Sequence, residues 1–323
     1  MLFLCAVACA SCTKDEPFET PYTVAIGYEG NGYPEYGDFE TMVKTGVVLA
    51  NADVEERRQA EYHPSLQTRI EDLMDGAEDI MDLPVLYPDL FEFAGDSVVR
   101  PVMPKAYACI MDTAGCFCVN FRLHRMFGHV LVSGQNATKE SLTQVVNGQE
   151  PDCGFDYVVE DIVKASTNKS MNGCGNSKNA YFNNKRNKLD VTARIYVYTA
   201  TCCGATRKQY MVEVATACYY RKHHNRRWRG HHTSTTLNRL IVRADGLRYV
   251  GGNPNDCDFD YQECNLDYKN WQFSNRAVYK SATFKLGQDI NTQKNVAAPS
   301  FKQIYVDATS GHIGDNRVII DCD

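Results

Sequence analysis

Leu189 to His232 reads LDVTARIYVYTATCCGATRKQYMVEVATACYYRKHHNRRWRGHH. Within it, Val191, Ala193, Ile195, Val197 and Thr199 share one face of an extended chain, and Thr192, Arg194, Tyr196 and Tyr198 share the other. Side chains alternate across a strand, so this spacing predicts a half-buried β-strand. Lys208 to Tyr220 repeats the pattern, with Tyr210, Val212, Val214, Thr216 and Cys218 together. Cys202-Cys203-Gly204-Ala205 joins the two runs, which predicts an antiparallel hairpin. Both arms are rich in β-branched and aromatic residues, which suit a pleated surface.

The segment after the hairpin, Arg221 to His232, holds five Arg/Lys and four of the chain's eight His. Three chemistries compete for it. Arg226, Arg227 and Arg229, with Trp228 between them, form a candidate anionic-ligand patch, since guanidinium forks attract sulfate, phosphate and carboxylate. A metal site at His223/His224 and His231/His232 is disfavoured, because adjacent residues on a strand point to opposite faces. The third reading is a solvated basic segment that answers acid elsewhere in the fold. Residues 51–100 carry 13 acidic and 4 basic side chains, so an internal charge partner exists. Arg226-Arg227-Trp228-Arg229 also matches a minimal furin-type processing pattern.

Upstream, Asn51 to Asp82 is the clearest helical region, with Leu66, Ile70, Leu73, Ile80 and Met81 near helical spacing and Pro64 placed for a first turn. A helical insert over about 54–82 follows, ended by Pro84 and Pro88. Strands are expected at Tyr22–Tyr28, Thr41–Leu49, Ser97–Met103, Ala106–Asp112, Cys116–Phe121 and Gly128–Ser133. Thr167 to Lys188 is polar and reads as an exposed loop. Downstream, Asp245-Gly246 between apolar-alternating arms is a type I′ hairpin signal. Arg276–Leu286 is a further strand, and Phe301–Thr309 is expected to pair with Asn316–Asp321. The fold class is mainly β (α+β): a disulfide-stabilised antiparallel β domain with an N-terminal helical segment. No repeat or linker divides the chain, so residues 13–323 form one domain.

Met1 to Ala10 is apolar and ends in Ala8-Cys9-Ala10, which resembles a signal-peptide cleavage site, so residues 1–10 (or to 12) are expected to be removed. A competing reading makes Cys12 a lipidated residue ahead of Thr13-Lys14-Asp15-Glu16. No other apolar run reaches the roughly 18 residues of a membrane helix. The expectation is a secreted, extracellular protein without membrane association. A net charge of -6 argues against nucleic-acid binding by bulk electrostatics. Eleven cysteines follow the signal: Cys109, Cys116, Cys118, Cys153, Cys174, Cys202, Cys203, Cys218, Cys257, Cys264 and Cys322. That density predicts disulfides. The odd number leaves one thiol for a disulfide-linked dimer. Asn136-Ala137-Thr138 and Asn168-Lys169-Ser170 are glycosylation sequons.

No phosphate loop, nucleophile elbow, zinc helix or dinucleotide fingerprint is present. Acid–base candidates are His124, His129 and His312, with Asp112 or Asp307 as carboxylate partners, because imidazole titrates near neutral pH. Asp256, Asp258 and Asp260 open like a calcium loop, although Tyr261 replaces the expected Gly and Asp267 stands at the twelfth position. Ca2+ is the candidate metal.

With 19 Tyr, 14 Phe and 2 Trp, a high cysteine count and this length, the chain is similar in overall profile to the secreted luciferases of syllid marine worms. That resemblance implies an oxidoreductase, a monooxygenase-type enzyme that oxidises a small organic substrate with molecular oxygen and emits light. Aromatic side chains would shield the excited product, and tail arginines would hold an anionic substrate. Cys174, Cys203 and Cys218, two strands and a basic tail are also similar to the C-terminal half of interleukin-17-like cystine-knot ligands. That family's Gly-Cys-x-Cys ending is replaced here by Ala217-Cys218-Tyr219-Tyr220, and appears out of order at Gly115-Cys116-Phe117-Cys118. A polyanion-binding matrix protein is the third expectation.

Overall fold

The computed structural model describes residues 32–61, 63–95, 97–149, 156–162, 177–182, 185–202, 205–221, 226–244, 248–249, 264–273, 278–289, 296–297, 301–311 and 317–322. The expected signal peptide and the strand at Tyr22–Tyr28 lie outside them. In chain order the elements are β1 (Glu35–Tyr36), α1 (Phe39–Asn51), α2 (Val54–Ala60), α3 (Leu66–Gly76), a 3-10 turn (Ile80–Asp82), α4 (Leu83–Leu86), β2 (Phe91–Gly95), β3 (Val98–Pro101) and α5 (Lys105–Ala108). Next come β4 (Cys116–Val119), β5 (Arg122–Phe127), β6 (Val130–Gln135), α6 (Lys139–Val146), β7 (Tyr157–Asp161), β8 (Ser177–Phe182), β9 (Asn187–Cys202) and β10 (Ala205–Tyr220). The rest are β11 (Arg229–Gly230), β12 (Thr235–Ala244), β13 (Arg248–Tyr249), β14 (Cys264–Phe273), β15 (Tyr279–Asp289), β16 (Val296–Ala297), β17 (Phe301–Ser310) and β18 (Arg317–Cys322). The fold is mainly β with a few helices.

The expected hairpin is the centre of the molecule. β9 and β10 pair antiparallel from Asn187↔Tyr220 to Cys202↔Ala205. β8 extends the sheet beyond β9, and β15 and β11 pair with the far edge of β10. A second sheet runs β14–β12–β17–β18. Its Leu237, Leu240, Ile304, Val306 and Val318 join one hydrophobic core with Val191, Ala193, Ile195, Val212 and Val214 of the hairpin. A third sheet, β1–β4–β5–β6–β7, carries α6 on one face.

The hairpin is buried on both faces, which corrects the half-buried expectation. Thr192, Arg194, Tyr196 and Tyr198 lie beneath the N-terminal helices and the β2–β3 hairpin rather than in solvent. Arg194 survives burial because its guanidinium is fully engaged. Its Nε donates to Glu213 Oε2 (2.6 Å), and its terminal nitrogens donate to the carbonyls of Pro101 (2.9 Å), Val102 (2.8 Å) and Met103 (3.0 Å). Glu213 Oε1 accepts from the Lys105 backbone N–H at the start of α5 (2.8 Å), and Tyr279 donates to Oε2 (3.4 Å). Burial opposes the Arg194 charge, but Glu213, Tyr279 and Glu92 more than offset that opposition and hold its pKa above the ordinary value.

Several expectations are corrected by packing. Thr41–Leu49 lies in helix α1, not in a strand. Asp38 caps it by accepting from the Thr41 N–H (2.7 Å), and Phe39, Met42, Gly46, Leu49 and Ala50 are buried at helical spacing. Ala106–Asp112 begins within the short helix α5 behind Pro104. The helical insert is broken: Ser65 caps α3 by accepting from Thr68, and Pro64 stands ahead of that cap. β8 lies inside the segment expected to be a loop. β5 and the capping-box helix α6 form where no element was expected. β12 pairs with β14 and β17, whereas β13 pairs with β16, so the Asp245-Gly246 arms do not form a simple hairpin with each other. β17 and β18 do pair, from Ile304↔Cys322 to Thr309↔Arg317.

Cys109, Cys116, Cys118 and Cys218 are buried free thiols. Among the described residues, no disulfide staples the sheets. Cys153, Cys174, Cys203 and Cys257 lie outside the described residues, as do the side chains of Cys202, Cys264 and Cys322.

Two consequences can be measured. Glu213→Gln leaves a buried guanidinium without its charge partner and should lower unfolding stability by about 3 kcal/mol. Urea denaturation should show an earlier midpoint at constant m; a loss under about 1 kcal/mol would show that the carboxylate is dispensable. Gly46 faces the Tyr198 hydroxyl, and a Cβ there would also come within 2.7 Å of the Ala106 carbonyl oxygen. Gly46→Ala should therefore cost about 1–3 kcal/mol. Adding Tyr198→Phe should restore only part of the thermal midpoint, because the carbonyl clash persists.

Candidate functional site

Exposed basic side chains gather where the hairpin's open end meets the tail. β9 starts at Asn187, directly across from Tyr220. The turn before it therefore sits against the first tail residue. Arg221 donates its backbone N–H to the Arg186 carbonyl (2.8 Å) and its Nε to the Lys185 carbonyl (2.6 Å). Lys185 adopts φ 62, which shapes the turn, and both Lys185 and Arg186 are exposed. Two basic segments far apart in sequence thus share one corner.

Trp228 anchors the tail. Its ring contacts the Arg221 guanidinium (4.9 Å to the centroid) and the Tyr181 ring (5.6 Å between centroids). Its backbone N–H donates to Asp79 Oδ1 (3.1 Å), and its carbonyl accepts from the Ile80 N–H (2.8 Å). Trp228 is consequently buried, so it positions the patch rather than offering a stacking face. Arg229 enters β11 opposite Tyr220, and Gly230 behind it leaves no room for a Cβ against Val278. The furin-type pattern is thus anchored at the buried Trp228 and the strand-paired Arg229.

The acidic helical region does answer part of the tail. Arg227 pairs with Glu78, and His232 Nε2 lies 3.1 Å from Asp75 Oδ1. Burial raises the Asp75 pKa, with His232 pulling it back down. Among the described residues, no carboxylate stands within ion-pair distance of Lys185, Arg186, Arg221 or Arg226. Lys185, Arg186 and Arg226 are exposed, so their charge faces solvent.

His124 and His129 are each engaged within the fold. His124 is fully buried in β5, stacked on Phe117 at 4.8 Å, with Nδ1 2.9 Å from the Arg122 carbonyl. Burial pushes its pKa down to about 3, so it is a neutral core residue. His129 sits in the turn before β6 with Nε2 3.4 Å from Glu92 Oε2, and its Nδ1 is buried. Neither ring nitrogen is offered freely to a substrate. Burial opposes the Glu92 charge, but His129, Arg100 and Arg194 overcome it and hold the pKa down at about 2. Asp112 and Asp307, the expected carboxylate partners, are engaged elsewhere. Asp112 accepts from the Cys116 N–H (2.8 Å) and Lys139 Nζ (2.7 Å), and Asp307 accepts from Asn238 (3.0 Å). His312, the calcium-loop residues Asp256, Asp258 and Asp260, and Asn168 lie outside the described residues.

Asn136 is exposed in a left-handed turn (φ 58) after β6, a surface position open to a glycan. Among the described residues, no group of three or more His, Cys, Asp or Glu is placed to hold a metal ion. No described helix is long and apolar enough to cross a membrane. Burial pushes the thiol pKa up to about 12 at Cys109 and Cys116 and to about 11 at Cys118, which leaves these sulfurs protonated and poorly nucleophilic.

Sequence reasoning found the tail and the acids that meet it. It missed Lys185, Arg186 and Tyr181, whose only signal was a Lys-Arg step within a polar stretch. No family model matches the chain. No curated protein matches it either. Among solved structures it is similar to the crystal structure of a DUF4848 family protein from Bacteroides thetaiotaomicron, with 10% sequence identity, 90% of this chain and 97% of that chain covered, and a TM-score of 0.25. A score that low carries no argument about fold or function.

Proposed function

We propose that the chain is an extracellular protein that binds an acidic polysaccharide at the Lys185–Arg186–Arg221–Arg226 corner. One observation carries this reading: Arg221 hydrogen-bonds both carbonyls of the Lys185-Arg186 step, which adds a second basic segment to the tail. Exposed basic groups, with no carboxylate partner among the described residues, favour sulfate and carboxylate groups, and binding gains from counterion release. Arg227 and His232 take no part, because Glu78 and Asp75 already hold them. Trp228 keeps the corner in place from below.

Oxygen-dependent oxidation of a small substrate has less support, since His124 and His129 are engaged within the fold. The cystine-knot reading is weakened by Cys218, a buried free thiol with Sγ 3.6 Å from Thr235 Oγ1.

Chromatography on immobilised heparin and on a carboxylate-only polysaccharide tests the proposal and separates sulfate from carboxylate preference. The wild-type protein should stay bound above roughly 0.15 M salt on at least one matrix. A Lys185→Gln, Arg186→Gln, Arg226→Gln triple variant should elute earlier, with a shallower dependence of affinity on salt. Elution of the wild type below physiological salt on both matrices, or no change in the variant, would overturn it.

A further inference from the structure

Beneath that corner, independently of the polyanion reading, lies a fully buried ion pair. Lys188 and Asp190 are both 1% exposed, and Lys188 Nζ lies 2.8 Å from Asp190 Oδ2. They are two residues apart on β9 and so share a face, the one covered by the β2–β3 hairpin. Lys188 Nζ also donates to the carbonyl of Ser97, the residue at φ 65 in the β2–β3 turn. The Val99 N–H of β3 supports the Asp190 carboxyl, whose Oδ1 makes no close hydrogen bond. Tyr219 of β10 donates to the Val99 carbonyl (3.3 Å), and its ring lies 5.1 Å from Lys188 Nζ. Lys188, Asp190 and Tyr219 thus tie β9 and β10 to this end of the β2–β3 hairpin.

We propose that this cluster is a proton-controlled latch on the β2–β3 hairpin. When the hairpin is docked, Asp190 is dry and incompletely hydrogen-bonded; when it lifts, the carboxylate regains water. A proton on Asp190 therefore favours the docked state. Among the described residues, the surrounding charges do not cancel this. Lys188 is the cation that contacts Asp190 there, Tyr219 and Tyr279 share the face as neutral phenols, and Arg194 is committed to Glu213. On the hairpin itself, Glu92 pairs with both Arg100 and His129. β8 places the uncharged Asn179 in register with Asp190.

Burial, partly countered by Lys188, raises the Asp190 pKa from 3.8 to about 7 in the docked state. A carboxyl with a raised pKa when docked gives stability that is full below its undocked value. That stability is lost as pH rises to the docked value and stays lost above it. The hairpin should thus hold most firmly in mild acid and loosen toward neutrality.

Hydrogen–deuterium exchange of the Val98–Arg100 amides, corrected for intrinsic exchange, reads the opening directly. Between about pH 5 and pH 7, protection should fall by up to about tenfold per pH unit in the wild type. It should be flat in Asp190→Asn. A wild-type profile without pH dependence, or an Asp190→Asn profile with the same slope, would overturn the latch. If Asp190→Asn does not fold, a carboxyl 13C titration of the wild type decides: a midpoint near 7 supports the latch, and one near 4 removes it.

Discussion

The Glu213 carboxylate, buried on the central hairpin, is the interaction on which the rest of the structure leans. One of its oxygens holds the first backbone N–H of α5, and the other holds Arg194, whose remaining donors hold three consecutive carbonyls from the last residue of β3 onward. A charged pair in that position is tolerable only because nearly every donor is matched. The network sets how the helical layer sits on the sheet, and so where Asp75, Glu78 and Asp79 meet the tail. Hydrophobic packing on the opposite face, against β12, β17 and β18, supplies most of the cohesion but no comparable directionality.

The same hairpin shows what was legible in the sequence and what was not. Alternation at Val191–Thr199 and Lys208–Tyr220 specified strands, faces and pairing, because period two survives in any β environment. It could not reveal that Thr192, Arg194, Tyr196 and Tyr198 are buried. A polar face reads as a solvent face unless its partners are known, and here they stand some ninety residues upstream, at Pro101–Met103. Thr41–Leu49 was misread for a related reason. Its Val43, Val47 and Val48 favour strands intrinsically, but the Asp38 cap and the buried spacing of Met42, Gly46 and Leu49 prevail once a sheet covers that face. The basic tail was visible as composition. Lys185 and Arg186 were not, because only the fold brings them beside Arg221.

Charge along the tail is divided by geometry rather than by residue type. Arg227 and His232 belong to the helical layer, Arg221 belongs to Trp228, and Arg226 joins Lys185 and Arg186 in solvent. Trp228 makes that division rigid, since its backbone and ring are held by Asp79, Ile80, Arg221 and Tyr181.

The buried cysteines carry a separate implication. Cys109, Cys116 and Cys118 are hidden from reagents and kept protonated by their surroundings. A thiol in that condition reacts only after its shell opens. Cys109 follows α5 and Cys116 and Cys118 lie in β4, so the sulfurs mark the helical layer and the third sheet. The chain thus carries intrinsic clocks for local opening, and pulsed alkylation would time each opening without any added label.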